Sequence, residues 1–276
     1  MKLAQIDHEG KLKPAIIQGD VCLPCDFQGD LVDAMGDVSR LPEATGAPIS
    51  LEEVRFLPAV TRPSKIVAIG LNYMDHVRES KGKVPDSPLV FAKFPNALAA
   101  HRRSIVWDPA VTQKVDFEAE LAVVIGRTAC CISENEALDA VFGYTCGNDV
   151  SARDLQFGDG QWVRGKSLDT FCPLGPWVVT PDEIPDPYDL AIACRVNGHT
   201  MQESRTDQMI FRVPRLLSYL SRHFTLQPGD VVLTGTPHGV GAFRDPAVYL
   251  QNGDEVAVDI EHIGCLVNFC VTRSSP

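Results

Sequence analysis

The chain reads as α+β and mostly β: a mixed β-roll or sandwich with a few flanking helices. Three observations predict this. Val115-Asp116-Phe117-Glu118-Ala119-Glu120-Leu121-Ala122-Val123-Val124-Ile125 is strand-like, rich in Val and Ile, and stops at Gly126. Similar short apolar runs recur at 65–70, 89–94, 177–180, 190–196, 231–234 and 254–261, bounded by Gly, Pro or Asn. Against these stands one clear amphipathic helical stretch, 211–223.

At 276 residues the chain can bury a large core, as one large domain or a large one with a small one. Apolar residues make up 45% and charged ones 22%, the balance of a globular protein. No apolar run reaches the roughly 18 residues of a membrane span. The first eight residues, Met1 to His8, lack a signal-peptide core. A net charge of -11 without a basic run argues against nucleic acid and anionic membrane as partners. Nine scattered cysteines point to reduced thiols and a cytoplasmic location. Cys22-Leu23-Pro24-Cys25 is a CxxC with no second pair to complete a zinc site. Cys130-Cys131, after a strand, reads as small filler.

Residues 1–60 are expected to form a small N-terminal α/β domain. Lys2 to Ile6, Pro14 to Gln18 and Val21 to Leu23 read as strands, and Leu31 to Met35 as a helical turn or two. The larger domain takes 61–276. It opens with a buried strand at Lys65 to Gly70, with Asn72 placed to cap a short helix over 73–80. The polar stretch Lys81 to Pro88 reads as a mobile loop, so this helix belongs to a lid. Leu89 to Phe94 is the next strand. Ser133 is placed to cap a helix over 134–141. Asn197-Gly198 marks a hairpin turn, and Pro228-Gly229-Asp230 turns into the strand at 231–234.

The chemistry concentrates in a few places. Residues two apart on a strand face the same way, so Glu118 and Glu120 present two carboxylates side by side. Like charges there are costly, and a bound cation is the simplest remedy. Asp149, after another strand-like run, can supply a third carboxylate. Three carboxylates suit a hard divalent cation such as Mg²⁺ or Mn²⁺ rather than zinc. His76 and Glu79 are i,i+3 neighbours, and a carboxylate beside an imidazole makes a general base. Arg153 and Gln156, one helical turn apart, can reach a substrate carboxylate together. Gly160-Gln161-Trp162-Val163-Arg164-Gly165-Lys166-Ser167 matches a phosphate-loop string, but bulky residues fill it and no apolar strand precedes it. Lys166 is better read as balancing the carboxylates. In the glycine-rich Gly235 to Gly241, backbone N–H groups and the Thr236 hydroxyl could hold an anion.

Taken in order, these pieces resemble the fumarylacetoacetate hydrolase family. The resemblance rests on Gly70-Leu71-Asn72-Tyr73 with His76 and Glu79, on Phe91-Ala92-Lys93-Phe94, and on Asp116 to Gly126. It continues through Asn148 to Gln156, Gly165-Lys166-Ser167, Met209-Ile210-Phe211 and Leu233-Thr234-Gly235-Thr236-Pro237. It covers about residues 61–270. Phe171 to Pro176 looks most like the branch known as domain-containing protein 2. Two departures bear on pocket shape: Ala99 to Arg103 stands where members often carry a Gly-Pro step, and Leu168 replaces a frequent Phe.

The resemblance implies the family's mixed β-roll, a homodimer, and Mg²⁺ or Mn²⁺ held by Glu118, Glu120 and Asp149. It implies Tyr73, Arg153, Gln156 and Thr236 around the substrate, Lys166 as a catalytic donor, and His76–Glu79 as a water-activating dyad on a closing lid. The substrate it implies is a small 2-oxo or 2,4-dioxo acid. C–C bond hydrolysis of an acylpyruvate through a metal-bound enolate is the first expectation. Oxaloacetate decarboxylation or keto–enol tautomerisation comes next. A hydratase or isomerase of aromatic catabolism, or a non-catalytic metal-binding protein, completes the alternatives.

Overall fold

The computed structural model describes residues 1–27, 29–35 and 44–274. Among these, an eleven-stranded mixed sheet carries most of the chain. Its main path runs Ile49–Ser50, Val21–Pro24, Lys11–Gln18, Lys2–His8, Cys172–Val179, Val141–Asn148, Ala119–Ile125, Val231–Leu233, Ile66–Gly70 and Leu89–Lys93. Leu98–Ala99 joins Cys172–Val179 from the side. A five-stranded sheet runs His199–Arg205, Ala191–Val196, Glu255–Ile260, Gly264–Thr272 and Ser104–Trp107. The β-rich roll expected from the sequence is the architecture found.

Ala119–Ile125 lies inside the large sheet, antiparallel to Val141–Asn148 on one side and to Val231–Leu233 on the other. All seven of its residues are buried. A strand covered on both faces gains from apolar side chains, hence the run Leu121 to Ile125, with Glu120 the one charged exception. The strand begins only at Ala119. Glu118 sits in the link from Val115–Asp116 and is not a ladder residue.

The first sixty residues extend the same sheet. Lys2–His8 pairs with Cys172–Val179 through Lys2↔Val179 and Leu3↔Val178. They also hold a core cluster of their own, with Ala4, Ile6, Ala15, Ile17 and Phe56. Cys22 is part of this cluster, and both Cys22 and Cys25 are buried free thiols.

The helices are short: Leu31–Met35, Met74–Glu79, Arg153–Asp159, Val163–Lys166 and Val213–Ser221. The last is the amphipathic helix read over 211–223, trimmed at both ends, with Leu216, Leu217 and Leu220 buried. Two capping expectations fail. Ser133 does not start a helix over 134–141; its N–H and hydroxyl both donate to Glu136 Oε2 (2.9 and 2.7 Å), and only a 3₁₀ turn forms at Ala137–Ala140. Asn72 does not cap Met74–Glu79 either; Tyr73 takes the N-cap position, with no side-chain cap bond. The Asn72 amide donates to Phe211 O and Thr234 O and accepts from Phe211 N–H. It pins three segments, and buried backbone groups outcompete a local cap for it. The hairpin at Asn197-Gly198 forms with positive φ at both residues (51° and 77°), as such turns require.

Candidate active site

Oxygens of Glu118, Glu120 and Asp149 lie within 4.8 Å of one another, and all three residues are buried. Backbone pairing brings them together. Glu120 lies opposite Gly147 in the ladder, and Asp149 N–H donates to Glu118 O at 3.0 Å. Asn148 Oδ1 accepts the Glu118 N–H at 3.0 Å, which fixes the irregular link ahead of the strand.

Cations surround this cluster. Lys166 Nζ reaches Glu118 Oε2 at 2.8 Å and Asp149 Oδ2 at 2.7 Å. Lys93 Nζ takes the other Asp149 oxygen at 2.5 Å and Val150 O at 3.1 Å. Arg153 Nη1 reaches Glu118 Oε1 at 2.7 Å and Gln156 Oε1 at 2.9 Å, while its Nε donates to Asp116 Oδ2 at 2.8 Å. Arg153 Nη2 is buried without a partner. An orphaned guanidinium N–H is expensive.

Charge balance separates the two glutamates. Burial would raise the Glu118 carboxyl, but the charges of Lys166 and Arg153 hold it down at about 2. Burial raises Glu120, and the charges of Asp149 and Glu118 push it further, well above the ordinary carboxylate range. Its one hydrogen bond comes from Gly235 N–H at 2.7 Å. Among the described residues no cationic side chain pairs with it. For Lys166, burial opposes the charged form, and Asp149 with Glu118 outweigh it and raise its pKa. Four carboxylates (Asp116, Glu118, Glu120, Asp149) thus face three cations (Lys93, Arg153, Lys166). The shortfall lies at Glu120. An all-oxygen donor set lacking positive charge fits a hard divalent cation.

His76 Nδ1 and Glu79 Oε2 are 3.1 Å apart on Met74–Glu79. The other Glu79 oxygen accepts Gly239 N–H at 2.8 Å, so the glycine-rich loop orients the dyad. Burial raises the Glu79 carboxyl, but the bonds to His76 and Gly239 win and lower it. Thr236 Oγ1 accepts from Gln202 Nε2 at 2.8 Å, and Gln202 Oε1 accepts Ala119 N–H at 2.8 Å.

A cavity of about 280 Å³ opens over these groups. It is lined by His76, Glu118, Glu120, Arg153, Gln156, Lys166 and Thr236, which come from five stretches of chain. Its remaining wall is largely apolar, with Phe91, Phe157, Trp162 and Phe243. Asp149 and Glu79 stand behind the wall, bonded to Lys166 and His76. Tyr73 is fully buried, does not line the cavity, and its hydroxyl has no partner among the described residues. Gly160-to-Ser167 is no phosphate loop: Val163–Lys166 is one helical turn that delivers Lys166 to the carboxylates.

The sequence reading gave no role to Lys93, Asp116 or Gln202. For Lys93 a signal existed, a lone lysine closing the apolar run Leu89 to Ala92; the structure leaves its side chain 0% exposed. For Gln202, in a polar stretch of alternating exposure, nothing local marks the role.

Fold and site together define a β-roll enzyme with an acidic, cation-ready centre. Residues 65–271 match the family described as fumarylacetoacetate (FAA) hydrolase C-terminal. The chain belongs to the fumarylacetoacetate hydrolase family. It is 48% identical over 239 residues to a mitochondrial oxaloacetate tautomerase of Bos taurus, covering 86% of this chain and 76% of that one. An uncharacterized protein of Archaeoglobus fulgidus is 49% identical over 82% of this chain and 86% of its own. Among solved structures, 5-carboxymethyl-2-hydroxymuconate delta-isomerase from Mycobacterium smegmatis superposes with a TM-score of 0.84 at 38% identity, covering 99% of this chain and 100% of that one. Fumarylacetoacetate hydrolase from Exiguobacterium antarcticum gives 0.87 at 36% identity with the same coverage. Three of these four are enzymes by name: a tautomerase, an isomerase and a hydrolase.

Proposed function

We propose that the protein is a divalent-cation-dependent enzyme that moves a proton at C3 of a small 2-oxo acid, with oxaloacetate enol–keto interconversion as its activity. One observation carries this: His76, Glu118, Glu120, Arg153 and Gln156 line one cavity, with Glu79 on the His76 ring and Asp149 completing the carboxylate cluster behind its wall. The names of the relatives support oxaloacetate as the substrate and favour tautomerisation over the hydrolysis first expected.

Mg²⁺ or Mn²⁺ held by Glu118, Glu120 and Asp149 would supply Lewis-acid stabilisation for negative charge on the 2-oxygen. In this reading Arg153 and Gln156 bind the C1 carboxylate. His76 takes and returns the C3 proton, and Glu79 holds the imidazole ring and stabilises its cation. Lys166 and the Thr236 hydroxyl donate toward the oxygen where charge develops. The aromatic wall is the reason to retain acylpyruvate hydrolysis as a second reading, since an apolar acyl group would fill it. No helix among the described residues is long and apolar enough to cross a membrane. A homodimer and a cytoplasmic location are part of the same proposal, and the nine free cysteines fit a reducing compartment.

The test is a rate comparison above buffer background, with Mg²⁺ and then with chelator. Enol–keto conversion of oxaloacetate should fall by about 10²–10⁴-fold in His76→Ala. Oxaloacetate decarboxylation should fall less, because it needs the electron sink and no base. Wild-type cleavage of acylpyruvates faster than enol–keto conversion would move the assignment to hydrolase. Full conversion by His76→Ala would remove the dyad from the mechanism.

A further inference from the structure

Seven of the nine cysteines are buried or half-buried; Cys130 and Cys131 are both exposed, adjacent, and away from the cavity. The sequence reading of this pair as filler does not hold. A rigid turn presents it. Ala129 and Leu226 exchange both backbone hydrogen bonds at 2.9 Å. Cys131 N–H donates to Ser221 O at 2.9 Å, at the end of Val213–Ser221, and Ile132 N–H to Ser221 Oγ at 3.2 Å. Ser218 Oγ closes the bracket on Ile132 O at 2.8 Å. Cys131 has a positive φ of 54°, unusual for a residue with a side chain. The two thiols act on each other: Cys130 raises the pKa of Cys131, while Arg222 supplies an opposing positive charge.

Two things can join such thiols, a direct S–S bond or an atom bridging both sulfurs. The Cys130–Cys131 peptide is trans. Its Cα atoms are therefore about 3.8 Å apart, short of the roughly 4.4–6.8 Å that disulfides span. Direct closure is cramped, whereas a bridging atom lengthens the ring and relieves the crowding. Thiolates are soft donors that select soft, thiophilic centres. We propose that Cys130 and Cys131 form a dithiol site that captures one thiophilic centre, a trivalent metalloid or a soft metal cation, as a bis-thiolate chelate. With a trivalent arsenical oxide as probe, two As–S bonds form and the arsenic–oxygen bond breaks. The two thiol protons leave with that oxygen as water, and no electrons are exchanged.

The experiment uses the whole folded protein, reduced, with phenylarsine oxide and separately with Cd²⁺. One arsenical per chain is expected by native mass spectrometry, with both cysteines lost to iodoacetamide labelling. A small dithiol should strip the adduct, while an excess of monothiol should not. Cys130→Ser and Cys131→Ser should each weaken binding by about a hundredfold, the loss of an intramolecular second contact. Retained dithiol-type binding in either variant, or two independent adducts per chain, overturns the proposal. A mild thiol oxidant supplies the last arm. If it removes two hydrogens from the 130–131 peptide without linking chains, the pair is a disulfide switch and the chelate reading is wrong. No such product under conditions that oxidise a free dithiol supports it.

Discussion

At the level of single residues the site turns on how its charges are matched. Glu120 is raised above the ordinary value of 4.5 by burial and by Asp149 and Glu118. A carboxyl raised on folding contributes stability at low pH that is lost as pH climbs above about 4.5 and through the folded value. Glu118 is held down at about 2, so its stabilisation is present above 4.5 and lost as pH falls from there toward 2. Metal-stripped protein should therefore lose stability toward alkaline pH through Glu120, and a cation should restore it. Melting curves at pH 5 and pH 8, with chelator and with Mg²⁺, should show the larger Mg²⁺ increment at pH 8. Glu120→Gln should raise the chelated melting point at pH 8 and abolish that increment. Equal increments at both pH values would mean that the ion binds elsewhere. Lys93 makes the second case. Its side chain is wholly buried on Asp149, and breaking a buried ion pair from one side costs about 3–5 kcal/mol. Lys93→Met should lose stability on that scale in urea and most of its activity; a variant as stable as the wild type would show that Lys166 alone satisfies Asp149.

Among the elements, two short helices must sit almost in contact for Lys166 to reach the carboxylates. Gly165 makes that approach. A Cβ there would lie 2.7 Å from Gln156 N and 2.9 Å from Ala152 O, both backbone atoms that cannot step aside. Gly165→Ala should push Val163–Lys166 away from Arg153–Asp159. The overpacking is worth about 1–3 kcal/mol, with Lys166 drawn off Glu118 and Asp149. Denaturation midpoints together with Mg²⁺-dependent activity check this, and loss of stability with activity intact would contradict the coupling. By contrast Met74–Glu79 is tied down by Asn72 beside it and by Gly239 on Glu79. The chain beyond it, Lys81 to Ser87, is mostly exposed. If this segment closes over substrate, the movement belongs to that loop more than to the dyad.

For the whole molecule, the question is what residues 1–60 contribute. Lys2–His8 covers the edge of Cys172–Val179, and Ala59 N–H donates to Leu174 O at 3.1 Å. Leu3 is fully buried in the main core. Removing 1–60 would bare an open strand edge and part of that core, an invitation to aggregate. A fragment beginning at residue 61 should be less stable than the full chain and should associate in size-exclusion chromatography. A monodisperse fragment with full-length stability would make the first sixty residues an independent unit.

What the sequence determined by itself is the local alphabet. The apolar runs with their stops placed the strands Ile66–Gly70, Ala119–Ile125 and Val231–Leu233, because a strand buried on both faces must be largely apolar. Alternation named Glu118 and Glu120, and i,i+3 spacing named His76 with Glu79. The ordered motifs named the family. Strands with weaker patterning, such as Gly264–Thr272 and Ser104–Trp107, went unread, since their side chains alternate between buried and partly exposed positions. Tertiary structure decided which distant groups meet. Lys93 closing on Asp149 across 56 residues, Gly239 gripping Glu79 across 160, and Gln202 joining Thr236 to Ala119 are products of sheet order. It also turned Asn72 from a cap into a brace and buried Tyr73 away from the cavity. Local spacing can fix which face a side chain takes. Which partner waits there is set by how strands far apart in the chain come to lie side by side.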